Sequence, residues 1–111
     1  MVRTEKLMID GTEYTLAYTP GCLQCAEDYG YDGITDMMAD KKYEIRNILL
    51  IIEAMIKCGA YQDRKAGREA KTISLQDLRM CMSTSELTDA VSVLQRLQAE
   101  KPAVDAEVPK N

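Results

Sequence analysis

Asp10-Gly11 is a dipeptide that accepts the positive φ angles of a type I′ turn, and it lies between two short segments of mixed apolar and polar residues, 5–9 and 12–18. A two-residue loop pairs Ile9 with Thr12, Leu7 with Tyr14 and Glu5 with Leu16. That register places Leu7, Ile9, Tyr14, Leu16 and Tyr18 on one face. Lys6, Glu13 and Thr15 take the other, with Met8 and Ala17 among them. A three-residue loop would scramble this separation. Two strands alone are marginal in water, so the apolar face requires a cover, and everything downstream of it reads as helix. The expected fold class is therefore α+β, with an N-terminal β-hairpin packed on a small bundle of four to five α-helices.

The helix signals are local. Thr19-Pro20-Gly21 supplies a capping threonine and a proline pre-set for a first turn, and Gly30 is a natural stop, which predicts a helix over 20–29. Cys22, Cys25, Ala26 and Tyr29 share one of its faces. A short helix is expected over 34–39 and the longest over 42–60, with an extension to 66 left open. Along the long helix Ile45, Ile48, Leu49, Ile52, Met55, Ile56 and Gly59 form one apolar stripe, and Ile51, Ala54 and Cys58 form a second. Only Arg46, Glu53 and Lys57 make a clear polar strip. Such a helix is either the centre of the bundle or covered by a partner. Residues 57–71 are rich in lysine and arginine and read as a helix end followed by a solvated linker.

Ser74 opens a helix over 75–82, and Ser83-Thr84-Ser85-Glu86 has the capping-box pattern ahead of a helix over 85–100, whose Leu87, Ala90, Val91, Leu94 and Leu97 keep a helical stripe. Residues 101–111 contain Pro102 and Pro109 without periodicity and are expected to be a disordered tail, leaving 1–100 as a single domain.

Chemistry is constrained by what is missing. None of the 111 residues is histidine, which removes the commonest general base, Ser/His and Cys/His nucleophile pairs, and the commonest metal ligand. The net charge of −4 disfavours electrostatic binding of nucleic acid. The longest apolar run, Ile48 to Ile52, is far too short to span a membrane, and residues 1–11 show no secretory signal pattern. The expected setting is the cytoplasm, with Cys22, Cys25, Cys58 and Cys81 as free thiols.

Cys22-Leu23-Gln24-Cys25 is the motif with most chemical potential, because a helix N-terminus stabilises the thiolate of the first cysteine of a CxxC. Thioredoxin-like folds use it so, but they require a four-stranded sheet with a βαβ unit. Two thiols packed on a core face are therefore expected instead. A zinc site would need a second close cysteine pair, which Cys58 and Cys81 do not form. Asp32, Asp36 and Asp40 read as a solvated helix edge. No catalytic, cofactor-binding or metal-binding residue is assigned. Soft, adaptable methionines either fill gaps in a core or present a surface for peptides. On the second reading Met37, Met38, Met80 and Met82, with Ile51 and Ala54 of the second stripe, are the candidate partner-binding residues.

The order Met8-Ile9-Asp10-Gly11-Thr12-Glu13-Tyr14-Thr15-Leu16-Ala17-Tyr18-Thr19, an acidic helix ending Tyr29-Gly30, then Ile34-Thr35-Asp36-Met37-Met38, resembles the tail assembly chaperones of long-tailed bacteriophages and prophages. The long apolar helix, the Thr72-Ile73-Ser74-Leu75 entry and the final amphipathic helix continue the similarity to about Gln98. The resemblance implies a non-catalytic protein of the bacterial host cytoplasm that binds the tape-measure protein and helps recruit tail-tube protein subunits. A homo-oligomer that exchanges self-contacts for client contacts fits the amount of apolar helix surface. Two other readings remain open: a small phage-encoded regulatory or anti-defence protein acting by protein binding, and a thiol redox protein built on the CxxC.

Overall fold

The computed structural model describes the backbone of residues 1–107 and the side chains of residues 1–99. It is an α+β fold: strands β1 (Thr4–Ile9) and β2 (Thr12–Ala17) are followed by helices α1 (Pro20–Asp28), α2 (Ile34–Ala39), α3 (Glu44–Lys65), α4 (Leu75–Cys81) and α5 (Thr84–Glu107), with a 3-10 turn at Lys41–Tyr43. The hairpin has the predicted register, with Ile9 opposite Thr12, Leu7 opposite Tyr14 and Glu5 opposite Leu16. Asp10 and Gly11 both take positive φ, 50° and 81°, as a type I′ turn demands. Leu7, Ile9, Tyr14 and Leu16 are buried and Tyr18 is half-buried. Helix α5 packs on β1 and α3 packs on β2.

The second face of β2 is covered too, since Thr15 and Ala17 are also buried. The cause is Gly59. A Cβ added there would lie 1.9 Å from the carbonyl oxygen of Thr15, so α3 meets the strand at backbone level, where only glycine fits. Gly59 is therefore a contact point in mid-helix, and α3 does not end at 60. It ends in a Schellman motif, with Gly67 at φ 77°, Arg68 N donating to Asp63 O at 2.8 Å and Gly67 N to Arg64 O at 3.1 Å. Helix α1 stops in the same way at Gly30, with Tyr31 N donating to Ala26 O at 3.0 Å and Gly30 N to Glu27 O at 2.9 Å.

The predicted N-caps form. Thr19 Oγ1 accepts from Gly21 N, Ser74 Oγ accepts from Asp77 N, and Ser83 and Glu86 exchange the two bonds of a capping box, each 3.0 Å. The last helix runs to Glu107, past the expected end at 100. The alanines and glutamates at 99, 100, 103, 106 and 107 favour helix, and Pro102 removes one backbone donor without ending it. Of the expected disordered tail, residues 108–111 lie outside the described residues.

Helix α3 is the centre of the domain. Leu49, Leu50, Ile51, Ile52, Met55 and Ile56 are buried on several sides of it by the hairpin and the other helices. Both apolar stripes are thus covered largely from within the chain. Asn47 is fully buried among them, and its Nδ2 donates to Met37 O at 2.8 Å and to the Tyr31 hydroxyl at 3.1 Å, which ties α2 to α3 without leaving a buried polar atom unpaired. No described helix is long and apolar enough to cross a membrane.

Candidate functional site

Two features bear on function, and both lie along the contact between α1 and α3. These helices run antiparallel. Gly21 at the start of α1 sits by Cys58, Cys25 donates to Leu50 O, and Tyr29 at the end of α1 meets Arg46 near the start of α3.

The first feature is a tyrosine–arginine cluster at the Tyr29 end. The Arg46 guanidinium lies 4.1 Å from the ring centroid of Tyr43 and 5.3 Å from that of Tyr29, and its Nη2 donates to the Tyr31 hydroxyl at 3.3 Å. Tyr31 in turn donates to Asp40 Oδ2 at 2.6 Å. This hydroxyl is the main reason that the Asp40 carboxyl is held below its ordinary range, helped by the Lys42 amide and the Arg46 charge. The network fixes Arg46 in place by hydrogen bonds and cation–π contacts, the Lys42 ammonium also lies 5.4 Å from the Tyr43 ring centroid, and Tyr29 and Tyr43 remain 47% and 41% exposed. Ile45 beside them in sequence is 57% exposed. Rigid aromatic and guanidinium groups held this way can anchor a partner.

The second feature is the thiol cluster at the opposite end. Cys22 is fully buried and donates to Ala17 O at 3.7 Å, while Cys25 is half-buried and donates to Leu50 O at 3.9 Å. The CxxC cysteines are each turned to a backbone carbonyl, and the close thiol neighbour of Cys22 is Cys58 from α3. Cys58 Sγ accepts a 2.9 Å hydrogen bond from the Thr19 hydroxyl, and the Cys22 thiol is its neighbour at the start of α1. The neighbouring Cys22 thiol first, and then Thr19, bring the Cys58 thiol down to about 6. Cys22 moves the opposite way, pushed up by its interaction with Cys58 and by burial, and Cys25 is pushed up mainly by burial. The helix N-terminus thus does not lower the Cys22 thiol; the lowered thiol is Cys58 of α3, outside the motif. Among the described residues no group of three or more cysteines and carboxylates is placed to hold a metal ion.

The predicted partner-binding residues divide. Met37 and Ile51 are buried in the core, so neither can form an open docking surface. Met37 fills the space between α2 and α3, and Ile51 lies on the side of α3 covered by other elements of the same chain. Met38 and Met82 are half-buried against that core, and Ala54 is half-buried in a groove between α1 and α3. Met80 is 79% exposed but its neighbours Leu78 and Met82 turn inward, so it stands alone. Sequence reasoning missed Tyr43, Ile45 and Arg46. Their signal was present, since Tyr43 and Arg46 are three apart, the spacing that stacks side chains on a helix. Compared with protein-family models, with curated proteins and with solved structures, the chain matches none.

Proposed function

We propose that the protein works by binding another protein, as a tail assembly chaperone for a tape-measure protein, and that the face formed by Tyr29, Tyr43, Ile45 and Arg46 makes the contact. The observation that carries the binding role is Arg46 locked between two half-open tyrosines, since Tyr and Arg held rigidly at a surface supply the anchors of protein interfaces at low entropic cost. The client and the cytoplasmic setting come from the resemblance of the hairpin and helix order. Exposed Glu27, Asp28, Asp32 and Asp36 surround this end of α1 and α2 and suit a client that carries lysine or arginine beside its apolar residues. Because the stripes of α3 are covered within the chain, self-association would use this same face, which makes oligomer and client alternatives on one surface.

The test is co-expression with overlapping tape-measure fragments, followed by affinity measurement and by light scattering of the free protein over a range of concentrations. Capture of at least one fragment is expected, weakened tenfold or more by Tyr43→Ala combined with Ile45→Asp, and the same pair should shift any oligomer toward monomer. Failure to capture any fragment would end the chaperone reading. Capture that is indifferent to the two substitutions would move the contact elsewhere.

A further inference from the structure

The Cys22–Cys58 pair lies outside the face proposed for protein binding, and it has the parts of a thiol switch. We propose that Cys58 is a modification site for small hydroperoxides, and that Cys22 resolves the oxidised Cys58 into a disulfide joining α1 to α3. Three observations carry this. Cys58 is half-buried at the rim of two surface openings, a groove it shares with Cys25, Leu50 and Ala54 and a second hollow it shares with Val2, Thr19 and Tyr61, so a small oxidant can reach its sulfur from either side. The Thr19 hydroxyl is already hydrogen-bonded to that sulfur at 2.9 Å. Cys22 is sealed from solvent, and the residues around it in the first turn of α1 touch Cys58: a Cβ on Gly21 would lie 3.0 Å from Cys58 Sγ, so Cys22 is protected from direct attack while lying next to the group it would join. Lys57 lines both openings, and Asp28 and Glu53 line the first.

The chemistry balances in two steps. The Cys58 thiolate attacks the outer oxygen of the hydroperoxide and the O–O bond breaks. The sulfur becomes a sulfenic acid, a two-electron oxidation, while the departing alkoxide or hydroxide takes a proton from water and leaves as alcohol or water. The Cys22 sulfur then attacks the Cys58 sulfur, an S–S bond forms, the S–O bond breaks, and hydroxide leaves with the Cys22 proton as water. The Cys22 thiol is pushed up by the neighbouring Cys58 and by burial. Oxidation of Cys58 to a neutral sulfenic acid removes the first of these causes and leaves the second.

The experiment uses the full chain and needs no variant to begin. Site-resolved mass spectrometry follows iodoacetamide labelling of each cysteine against pH, and separately the products of one equivalent of hydrogen peroxide. Cys58 with its thiol near 6 should label about tenfold faster than Cys81 at pH 6 and level off above pH 7, whereas labelling of Cys81 should still rise there; the tenfold figure is the gain in thiolate less the lower nucleophilicity of a less basic sulfur. Peroxide should give a loss of two hydrogens and a Cys22–Cys58 cross-linked peptide, reversed by a dithiol reductant. In Cys22→Ala the reaction should stop at a Cys58 sulfenic acid that dimedone traps. Labelling of Cys58 no faster than Cys81, or a native-state disulfide from Cys58 to Cys25, would overturn the proposal, and both are read on the unmodified sequence if the variant does not fold.

Discussion

Gly59→Ala sets two well-known effects against each other. In an exposed helix interior the change stabilises by about 1 kcal/mol, because alanine surrenders less backbone entropy than glycine. Here the added Cβ would come 1.9 Å from Thr15 O, 2.4 Å from Thr15 C and 2.9 Å from Leu16 N. All three are backbone atoms of β2 and cannot rotate away as a side-chain tip would. Reaching ordinary contact requires α3 and β2 to separate by about 1.5 Å. That movement opens the layer holding Leu16, Met55 and Ile56, each fully buried, and loosens the Thr15 contact with Asp63. Overpacking of this kind costs about 1–3 kcal/mol and more where backbone must shift. The contact outweighs the propensity, so a net loss of roughly 2 kcal/mol or more is expected. Urea unfolding followed by far-UV circular dichroism reads the difference, with Ala60→Gly one position on as a control for helix propensity. A Gly59→Ala protein as stable as the parent, or more so, would refute the close approach of α3 to β2.

Leu16→Ala removes a fully buried side chain from the hairpin face and should cost about 2–4 kcal/mol in the same assay; a loss below about 0.5 kcal/mol would place that face in solvent. Asp63 gives a pH signature. Its carboxyl is held below the ordinary value, first by the Thr15 hydroxyl and then by Arg68 Nη2 at 2.9 Å, so its contribution to stability is complete above about pH 4 and is lost as pH falls toward the lower folded-state value. Asp63→Asn should therefore unfold at lower urea than the parent at pH 7, with the gap closing below pH 4, and a gap that does not change with pH would remove the carboxylate from the argument.

The hairpin was legible in the sequence because its information is local: a turn dipeptide fixes the loop length, and a period of two then assigns every side chain to a face. The caps at Thr19, Ser74 and Ser83 were legible for the same reason. The end of the long helix was left open between 60 and 66 and the role of Gly59 was not seen, because a glycine looks identical in sequence whether it stops a helix or lets another backbone approach, and only the strand 44 residues earlier distinguishes the two. Met37 and Ile51 looked like surface candidates because a helix with two apolar stripes does not say what covers them. Arg46 looked like a solvated polar residue, and its fixing between Tyr29 and Tyr43 depends on α1 lying alongside α3. The pairing of Cys22 with Cys58 was hidden equally, since CxxC spacing draws attention to the neighbour in sequence while the thiol in contact is on another helix.

One helix pair therefore carries both surfaces. Arg46 and Cys58 lie twelve positions, or about 18 Å, apart along α3, and α1 spans the interval with Cys22 at one end and Tyr29 just past the other. Helix α1 has nine residues, too few to be stable on its own, so its position is set by what it packs against. Its buried contributions are small, Cys22 and Ala26, and its capping threonine is itself bonded to Cys58. A tilt of so lightly anchored a helix about its N-terminal end would displace Tyr29 more than Cys22, because Tyr29 is the farther from the pivot. A bond from Cys22 to Cys58 would fix the pivot, while Tyr29 is placed by Arg46 and by the Cys25 and Ala26 contacts between them. The thiol pair thus lies at the end of α1 opposite the tyrosine face and includes no residue that forms it.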